Sequence, residues 1–264
     1  MNMNNFKAKN INSSRAILCV LAVLLCIASI VSFLPNTNYV EANMKNQSAT
    51  ELFFSAVYKL ESSKNVTCKF EADLKVLGTQ KVYATKMFDG TTHFNENHLN
   101  GIKNYASRIY CKNGSDAVTS IKGTDISKGK ANFNGKVTHY TLKEYADKFG
   151  ISPNSFMPYV ISSATISSAS DVKHLSNGGA KFTITLHPQM ATKNYAKNLK
   201  ELSGLSEPNF KSIVLTIELS PDGNFKKVEN VEEFSMKVMG LSKNVVLDGV
   251  TTFDFDTKVS FPAM

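Results

Sequence analysis

The chain has 264 residues, of which 42% are hydrophobic, with 30 basic and 22 acidic side chains and 4 cysteines. This composition excludes a disulfide-rich miniprotein, a collagen-like or disordered chain and a polytopic membrane protein. The chain is long enough for a sizeable core, to which 17 Phe and 9 Tyr can contribute.

The N-terminus has the pattern of an export signal. Three basic residues precede an apolar run, 16–34, that carries no charge over nineteen residues. Such a run is a signal peptide or an uncleaved single-span anchor, since at about 1.5 Å per residue its helix nearly spans a bilayer. The helix-breaking stretch 35–39 and the small residue Ala42 favour cleavage into a signal peptide, 1–42, and a domain, 43–264. Either way we expect the domain to be extracytoplasmic, secreted or anchored to the outer face of the cytoplasmic membrane.

The charge of the domain argues against nucleic acid as a partner. Without residues 1–42 the chain keeps 27 basic and 21 acidic residues, and Arg108 is the one arginine among them. Recognition of phosphates and bases favours the bidentate guanidinium, and no nucleic-acid-binding motif is present. The mild positive charge is better suited to attraction toward an anionic membrane or wall surface.

The first half of the domain is predicted to be one amphipathic helix followed by a β-meander. Apolar residues recur at helical spacing over 46–62, behind a capping serine or threonine. From 66 to 76 apolar and polar residues alternate, which predicts a strand with one buried face. Asp-Gly and Asn-Gly turns separate several of the segments that follow. Further strands are predicted at 81–88, 107–112, 117–122 and 136–140, with a loop over 123–136.

The middle of the chain is predicted to be mainly helical. One helix, 141–149, ends at Gly150, and a second short helix is predicted at 153–161. A strand at 181–187 and a helix at 189–202 follow.

The C-terminal part returns to strands. They are predicted at 211–219, 225–231, 233–239 and 245–261. The elements follow one another as a helix, a meander, central helices and a second meander, and the sequence has no internal repeat. This order predicts a single α+β domain.

Two cysteines remain in the domain, Cys68 and Cys111. In an oxidising compartment such a pair can form a disulfide, worth roughly 4 kcal/mol in the chain-entropy model. Each cysteine also lies in an alternating strand pattern, which is equally consistent with two separate buried thiols. The sequence leaves both alternatives open.

No constellation of residues identifies an enzyme. Ser170 and Lys173 match an SxxK pattern, but the companion motifs of penicillin-recognising enzymes are absent. His93 and His98, with Glu96 between them, are expected in a solvated loop rather than at a metal. Hydrolase, zinc, phosphate-loop, dinucleotide and calcium motifs are also absent. We therefore predict no catalytic residues, no metal site and no cofactor.

The strands present an apolar face that the helices must cover, either as an ordinary core or around a cavity that binds a lipophilic ligand. The order of elements, closing with strand segments at 224–231 and 250–255, resembles the LolA/LppX-type lipoprotein carriers over most of 46–260. The resemblance implies an unclosed half-barrel, a curved antiparallel sheet covered on its concave face by a few helices, which holds acyl chains. It carries no diagnostic motif. Cys19 and Cys26 each follow a leucine, so the lipobox of many relatives is missing.

The resulting hypothesis is a non-catalytic extracytoplasmic protein that binds a lipoprotein acyl chain or another lipophilic ligand. One alternative is a membrane-anchored surface interaction or sensor domain that uses its outer face. A second is an uncharacterised hydrolase, which would require a deep polar cleft with a perturbed carboxylate or histidine. The inward-facing candidates for ligand binding are Phe70, Leu74, Phe182, Leu215, Phe234 and Phe253.

Overall fold

The computed structural model describes residues 44–76, 78–100, 105–127, 130–203, 206–238 and 240–263. The predicted export segment and the boundary after residue 42 lie outside these residues. Within the described ranges, no helix is both long enough and apolar enough to cross a membrane.

Four α-helices are described, and the sequence caps two of them. Ser48 and Glu51 form a capping box at the start of α1, and Thr141 and Glu144 form one at α2. In each box the two side chains satisfy backbone N–H groups that the first turn leaves unpaired. The single helix predicted at 189–202 is observed as two, divided at Thr192. The helices are α1 (Ala49–Ser62), α2 (Leu142–Phe149), α3 (Pro188–Ala191) and α4 (Lys193–Ser203), with 3₁₀ turns at Met44–Asn46 and Ser163–Thr165.

Thirteen strands of the described chain form one sheet. They are β1 (Val66–Lys75), β2 (Thr79–Phe88), β3 (Thr92–Asn100), β4 (Tyr105–Lys112), β5 (Ala117–Ser127), β6 (Lys130–Asn132), β7 (Val137–Thr141), β8 (Ile166–Ala169), β9 (Lys173–His174), β10 (Ala180–Leu186), β11 (Asn209–Leu219), β12 (Phe225–Val238) and β13 (Leu241–Asp254).

The sheet is an unclosed half-barrel. Its strand order is β6-β5-β4-β3-β2-β1-β13-β12-β11-β10-β8, with β7 beside β5 and β9 beside β10. Every described pairing is antiparallel. The path has two separate ends, and the sheet curves around the helices that cover its concave face. The predicted fold class is confirmed.

Alternation along β1 shows how the sequence fixes the two faces. Phe70 and Leu74 point into the main core and are 5% and 0% exposed, while Lys69 and Lys75 point outward. Opposite them, α1 and α4 contribute the buried Phe53 and other apolar side chains to the same core. Because the side-chain period of a strand is two, this one strand sets the inward and outward residues of its neighbours through the pairing register.

Strand β3 corrects a prediction, because His93 and His98 are expected in a loop and no strand is predicted between 88 and 107. Its inward-facing residues include Asn95 and Asn97, so no apolar alternation marks it as a strand. His93 and His98, expected to be solvated, are part of it, and His98 is 6% exposed. The predicted loop at 123–136 likewise contains the end of β5 and the short strand β6.

The last strand ends at Asp254 rather than at 261 as predicted. The Asp254 carboxylate accepts the backbone N–H groups of Asp256 and Thr257 at 3.0 and 2.9 Å, which turns the chain out of the sheet. The following residues cross the outer face, where Phe261 packs near Phe94, with ring centroids 6.0 Å apart.

Cys68 and Cys111 are two free, buried thiols. They lie on β1 and β4, with β2 and β3 between them, so three strand spacings of about 4.8 Å separate them. A disulfide requires Cα atoms within about 7 Å. Of the two alternatives left open by the sequence, the structure has the separate thiols, and the disulfide is not formed.

Candidate functional site

The concave face contains a small, mostly apolar cavity, called here the concave-face cavity. Its volume is about 50 Å³. Strand residues form one wall, and residues of the connection after α2 form the other. The lining residues are Phe70, Phe156, Met157, Pro158, Tyr159, Leu215, Val228, Asn230, Thr251 and Phe253.

Three of the six predicted ligand-binding residues line this cavity, namely Phe70, Leu215 and Phe253. The other three, Leu74, Phe182 and Phe234, are at most 2% exposed and belong to the surrounding core. The sequence did not point to the residues after α2 or to Asn230. Inward and outward residues alternate along β12, and Asn230 lies at an inward position together with Val228 and Phe234. This alternation is the sequence signal that could have identified it.

The size of the cavity limits what it holds in this conformation. A water molecule occupies about 30 Å³ of liquid volume, whereas pockets for drug-sized ligands are about 300–1,000 Å³. At about 50 Å³ the cavity has room for one small group. An acyl chain would therefore have to displace part of the wall.

One side of the cavity is formed by part of residues 151–161, called here the cover segment. The sequence predicted a helix at 153–161, but the segment is irregular. Pro158 gives the reason, because a proline inside a helix removes a hydrogen bond and clashes with the preceding turn. Phe156, Met157 and Tyr159 nevertheless stay buried, at 8%, 7% and 5% exposure.

Side chains from the sheet hold the cover segment in place. The Lys86 Nζ donates to the carbonyl of Ser155 at 2.7 Å, and the Asn95 amide donates to the carbonyl of Pro153 at 2.9 Å. Lys86 and Asn95 are 6% and 7% exposed. These inward polar residues of β2 and β3 donate hydrogen bonds to backbone carbonyls of the irregular segment. In a helix, backbone N–H groups of the next turn would satisfy such carbonyls.

Glu232 of β12 holds the far end of the cover segment. The Tyr159 hydroxyl and the Asn230 amide both donate to Glu232 Oε1, the amide at 3.1 Å. Glu232 is 1% exposed. Burial raises the pKa of this carboxyl to about 7, although hydrogen bonds from Tyr159, Asn230 and Tyr195 lower it.

A larger opening, the end cleft, adjoins the concave-face cavity. Its volume is about 390 Å³, and Glu61, Lys64, His93 and Phe156 are among the residues that line it. Phe156 lines both spaces.

The end cleft contains two perturbed titratable groups. Burial raises the pKa of Glu61 to about 7, while the charge of Lys86 and the backbone N–H of Phe156 lower it. Burial, with the Lys86 charge, lowers the pKa of His93 to about 4. The His93 ring stacks on Phe88 with centroids 4.1 Å apart.

A cleft with a perturbed carboxylate and a perturbed histidine is the feature that the hydrolase alternative requires. The nearby Ser62 and Ser63 hydroxyls donate to the carbonyls of Lys59 and Asn65, at 3.3 and 2.9 Å. Neither serine is hydrogen-bonded to His93. Burial raises the pKa of the Cys68 thiol to about 12, which leaves it unreactive at neutral pH.

The outer face has a further cleft of about 350 Å³, lined by residues that include Lys69, Asp254 and Lys258. Phe253 lines both this cleft and the concave-face cavity. Farther along this face Arg108 donates to Glu96 at 2.5 Å, and its guanidinium lies 3.8 Å from the centroid of the Phe133 ring. The single arginine among the described residues therefore has a structural partner. Among the described residues, no cluster of His, Cys, Asp or Glu could hold a metal ion.

Comparison with known proteins adds little. No family model matches the chain, and no curated protein matches it. One solved structure, MucB in complex with MucA(peri), is 7% identical over 76% of this chain and 93% of that chain, with a TM-score of 0.14. An N-terminal dehydratase from the difficidin assembly line is 11% identical over 87% of this chain and 92% of that chain, also with a TM-score of 0.14. TM-scores this low carry no information on function.

Proposed function

We propose that this protein is a non-catalytic extracytoplasmic carrier that binds an acyl chain or another lipophilic ligand on the concave face of its half-barrel. The observation that carries the proposal is the cover segment, which closes an apolar cavity with irregular backbone fastened by a few side chains. Opening this segment breaks these few hydrogen bonds rather than a helical turn, and a bound acyl chain would cover the apolar side chains that opening exposes.

The route of entry in this proposal runs through the end cleft. Its volume of about 390 Å³ is in the range of small-molecule pockets. A chain that displaces Phe156 passes from this cleft into the concave-face cavity. Beyond that ring it meets Phe70, Leu215 and Phe253, so apolar surface is buried along its path.

The location and partners of the carrier are inferred from the N-terminal sequence. The apolar run at 16–34 supports export, and a lipoprotein acyl chain is one lipophilic ligand available there. The mild positive charge of the domain supports contact with an anionic membrane or wall surface. Sequencing the N-terminus of the native protein tests the export part. A start after Ala42 supports a secreted carrier, whereas an intact start favours the membrane-anchored sensor domain.

Two substitutions at adjacent residues of β13 test the binding site. Thr251 lines the concave-face cavity, and the exposed Thr252 lines the outer cleft. Delipidated wild-type protein should take up an uncharged fluorescent acyl ester. The Thr251→Phe substitution should abolish uptake by filling the cavity, and Thr252→Phe should leave it unchanged.

Either of two results would contradict the proposal. The first is equal uptake by the two variants, which would place the probe elsewhere. The second is a wild-type protein that neither takes up the probe nor retains lipid detectable by mass spectrometry after purification. Circular dichroism of both variants controls for loss of the fold.

A further inference from the structure

The wall of the concave-face cavity contains a hydrogen-bond acceptor that the protein does not use. Asn230 Oδ1 is a buried atom without a hydrogen-bond partner among the described residues, and the neighbouring Glu232 carboxyl binds the amide nitrogen of the same side chain. The residues are 6% and 1% exposed, and Asn230 lines the cavity directly. An unpaired buried polar atom destabilises the folded protein, so a bound group that donates a hydrogen bond to it would be stabilised here.

The hydrogen-bond donors next to this acceptor already have an acceptor within the protein. The Asn230 amide nitrogen and the Tyr159 hydroxyl both donate to Glu232 Oε1. This donation fixes the orientation of the Asn230 amide, because the flipped amide would place its oxygen against a carboxylate oxygen. The oxygen, Oδ1, is therefore the end of the amide that stays unpaired.

The space around Asn230 Oδ1 is shaped by a glycine on the next strand. A Cβ atom at Gly249 would lie 2.9 Å from Oδ1 and 2.5 Å from the Phe70 ring. Gly249 and Asn230 are register partners on β13 and β12. The glycine thus allows the amide oxygen and the aromatic ring to sit side by side, with the polar acceptor beside the apolar wall.

We propose that this wall is a head-group subsite for an uncharged hydroxyl, so that the lipophilic ligand is an alcohol-type lipid rather than a free fatty acid. The subsite rests on the proposed carrier function. A hydroxyl donates to Asn230 Oδ1, and its size suits a cavity of about 50 Å³. A fatty-acid carboxylate only accepts hydrogen bonds, and it would lie near the buried Glu232 carboxyl, where the two negative charges repel each other.

A competition experiment with wild-type protein tests the subsite without any substitution. A saturated fatty alcohol and the fatty acid of the same chain length displace the uncharged fluorescent acyl ester at pH 8. We expect the alcohol to compete about tenfold more strongly, the factor that one hydrogen bond to a buried group supplies. Equal competition, or stronger competition by the acid, would overturn the subsite while leaving the carrier function intact. Probe uptake that neither compound displaces would also overturn it, and absence of probe uptake overturns both.

Substitutions then assign the selectivity to particular atoms. Asn230→Leu should remove most of the advantage of the alcohol, and Glu232→Gln should strengthen competition by the acid. Asn244→Leu, at an exposed residue of β13, is the matched control and should keep the wild-type ratio. An unchanged ratio in both the Asn230 and Glu232 variants would overturn the subsite and mean that Asn230 Oδ1 binds only internal water.

Discussion

Two segments in direct succession along the chain cover the concave face in different ways. Helix α2 satisfies its own backbone, with a capping box at Thr141 and Glu144 and a left-handed cap at Gly150. The cover segment begins at the next residue and relies on Lys86, Asn95 and Glu232 from the sheet. The difference shows that α2 satisfies its backbone groups within the helix and its caps, whereas the irregular cover segment depends on hydrogen bonds from the sheet. Loss of one of those neighbours is therefore expected to loosen the cover segment and not α2.

The largest expected effect is the pH dependence of the free energy of unfolding that Glu232 causes. Its pKa in the folded protein is raised from 4.5 to about 7. Folding therefore favours the protonated form, and the extra stability is present below about pH 4.5 and is lost as the pH rises toward 7. The shift corresponds to a contribution on the order of 3 kcal/mol.

The Glu232→Gln variant isolates this contribution, since Glu61 titrates equally in both proteins. Urea unfolding at pH 5 and pH 8 should show that the variant gains stability relative to wild type at the higher pH. Parallel pH profiles for the two proteins would show that Glu232 does not titrate in this window.

A second, smaller effect is expected from Lys86→Met. The substitution leaves the Ser155 carbonyl without its donor and removes the charge near Glu61, which should cost about 2 kcal/mol of local stability. Hydrogen exchange of the backbone should accelerate in the cover segment and not in α2. Lys81→Met, at an exposed surface pair with Asp73, is the control and should leave exchange in both segments at wild-type rates. Equal acceleration in both segments would mean that they open as one unit.

The smallest effect concerns α2 alone. Thr141→Ala removes the side chain that caps the helix, at a cost of about 1 kcal/mol. Exchange in α2 should accelerate while the cover segment keeps its wild-type rates. Thr141→Ser retains a capping hydroxyl and should restore protection. A variant with serine that exchanges as fast as the alanine variant would rule out the cap as the cause.

The apolar parts of this structure could be predicted from the sequence, and the polar parts on the concave face could not. Strand β1 was predicted to within one residue because apolar and polar residues alternate along it. Strand β3 was missed because Asn95 and Asn97 occupy its inward positions. One of these two, Asn95, fastens the cover segment, so the feature that hides the strand belongs to the candidate site.

The site itself depends on contacts between residues far apart in the chain. The alternation of inward and outward residues along the strands was enough to predict three residues that line the cavity, namely Phe70, Leu215 and Phe253. Tyr159 and Glu232 are separated by 73 residues, and only the folded sheet brings them together. No local pattern marks such a pair.

Photochemical cross-linking tests the central claim most directly. A fatty alcohol with a photoactivatable group in its chain is bound to delipidated protein, irradiated, and located by peptide mass spectrometry. We predict labelling in the cover segment and in β13 around Thr251, with labelling lost in the Thr251→Phe variant. Labelling confined to the outer cleft, at residues 257–260, would contradict binding on the concave face.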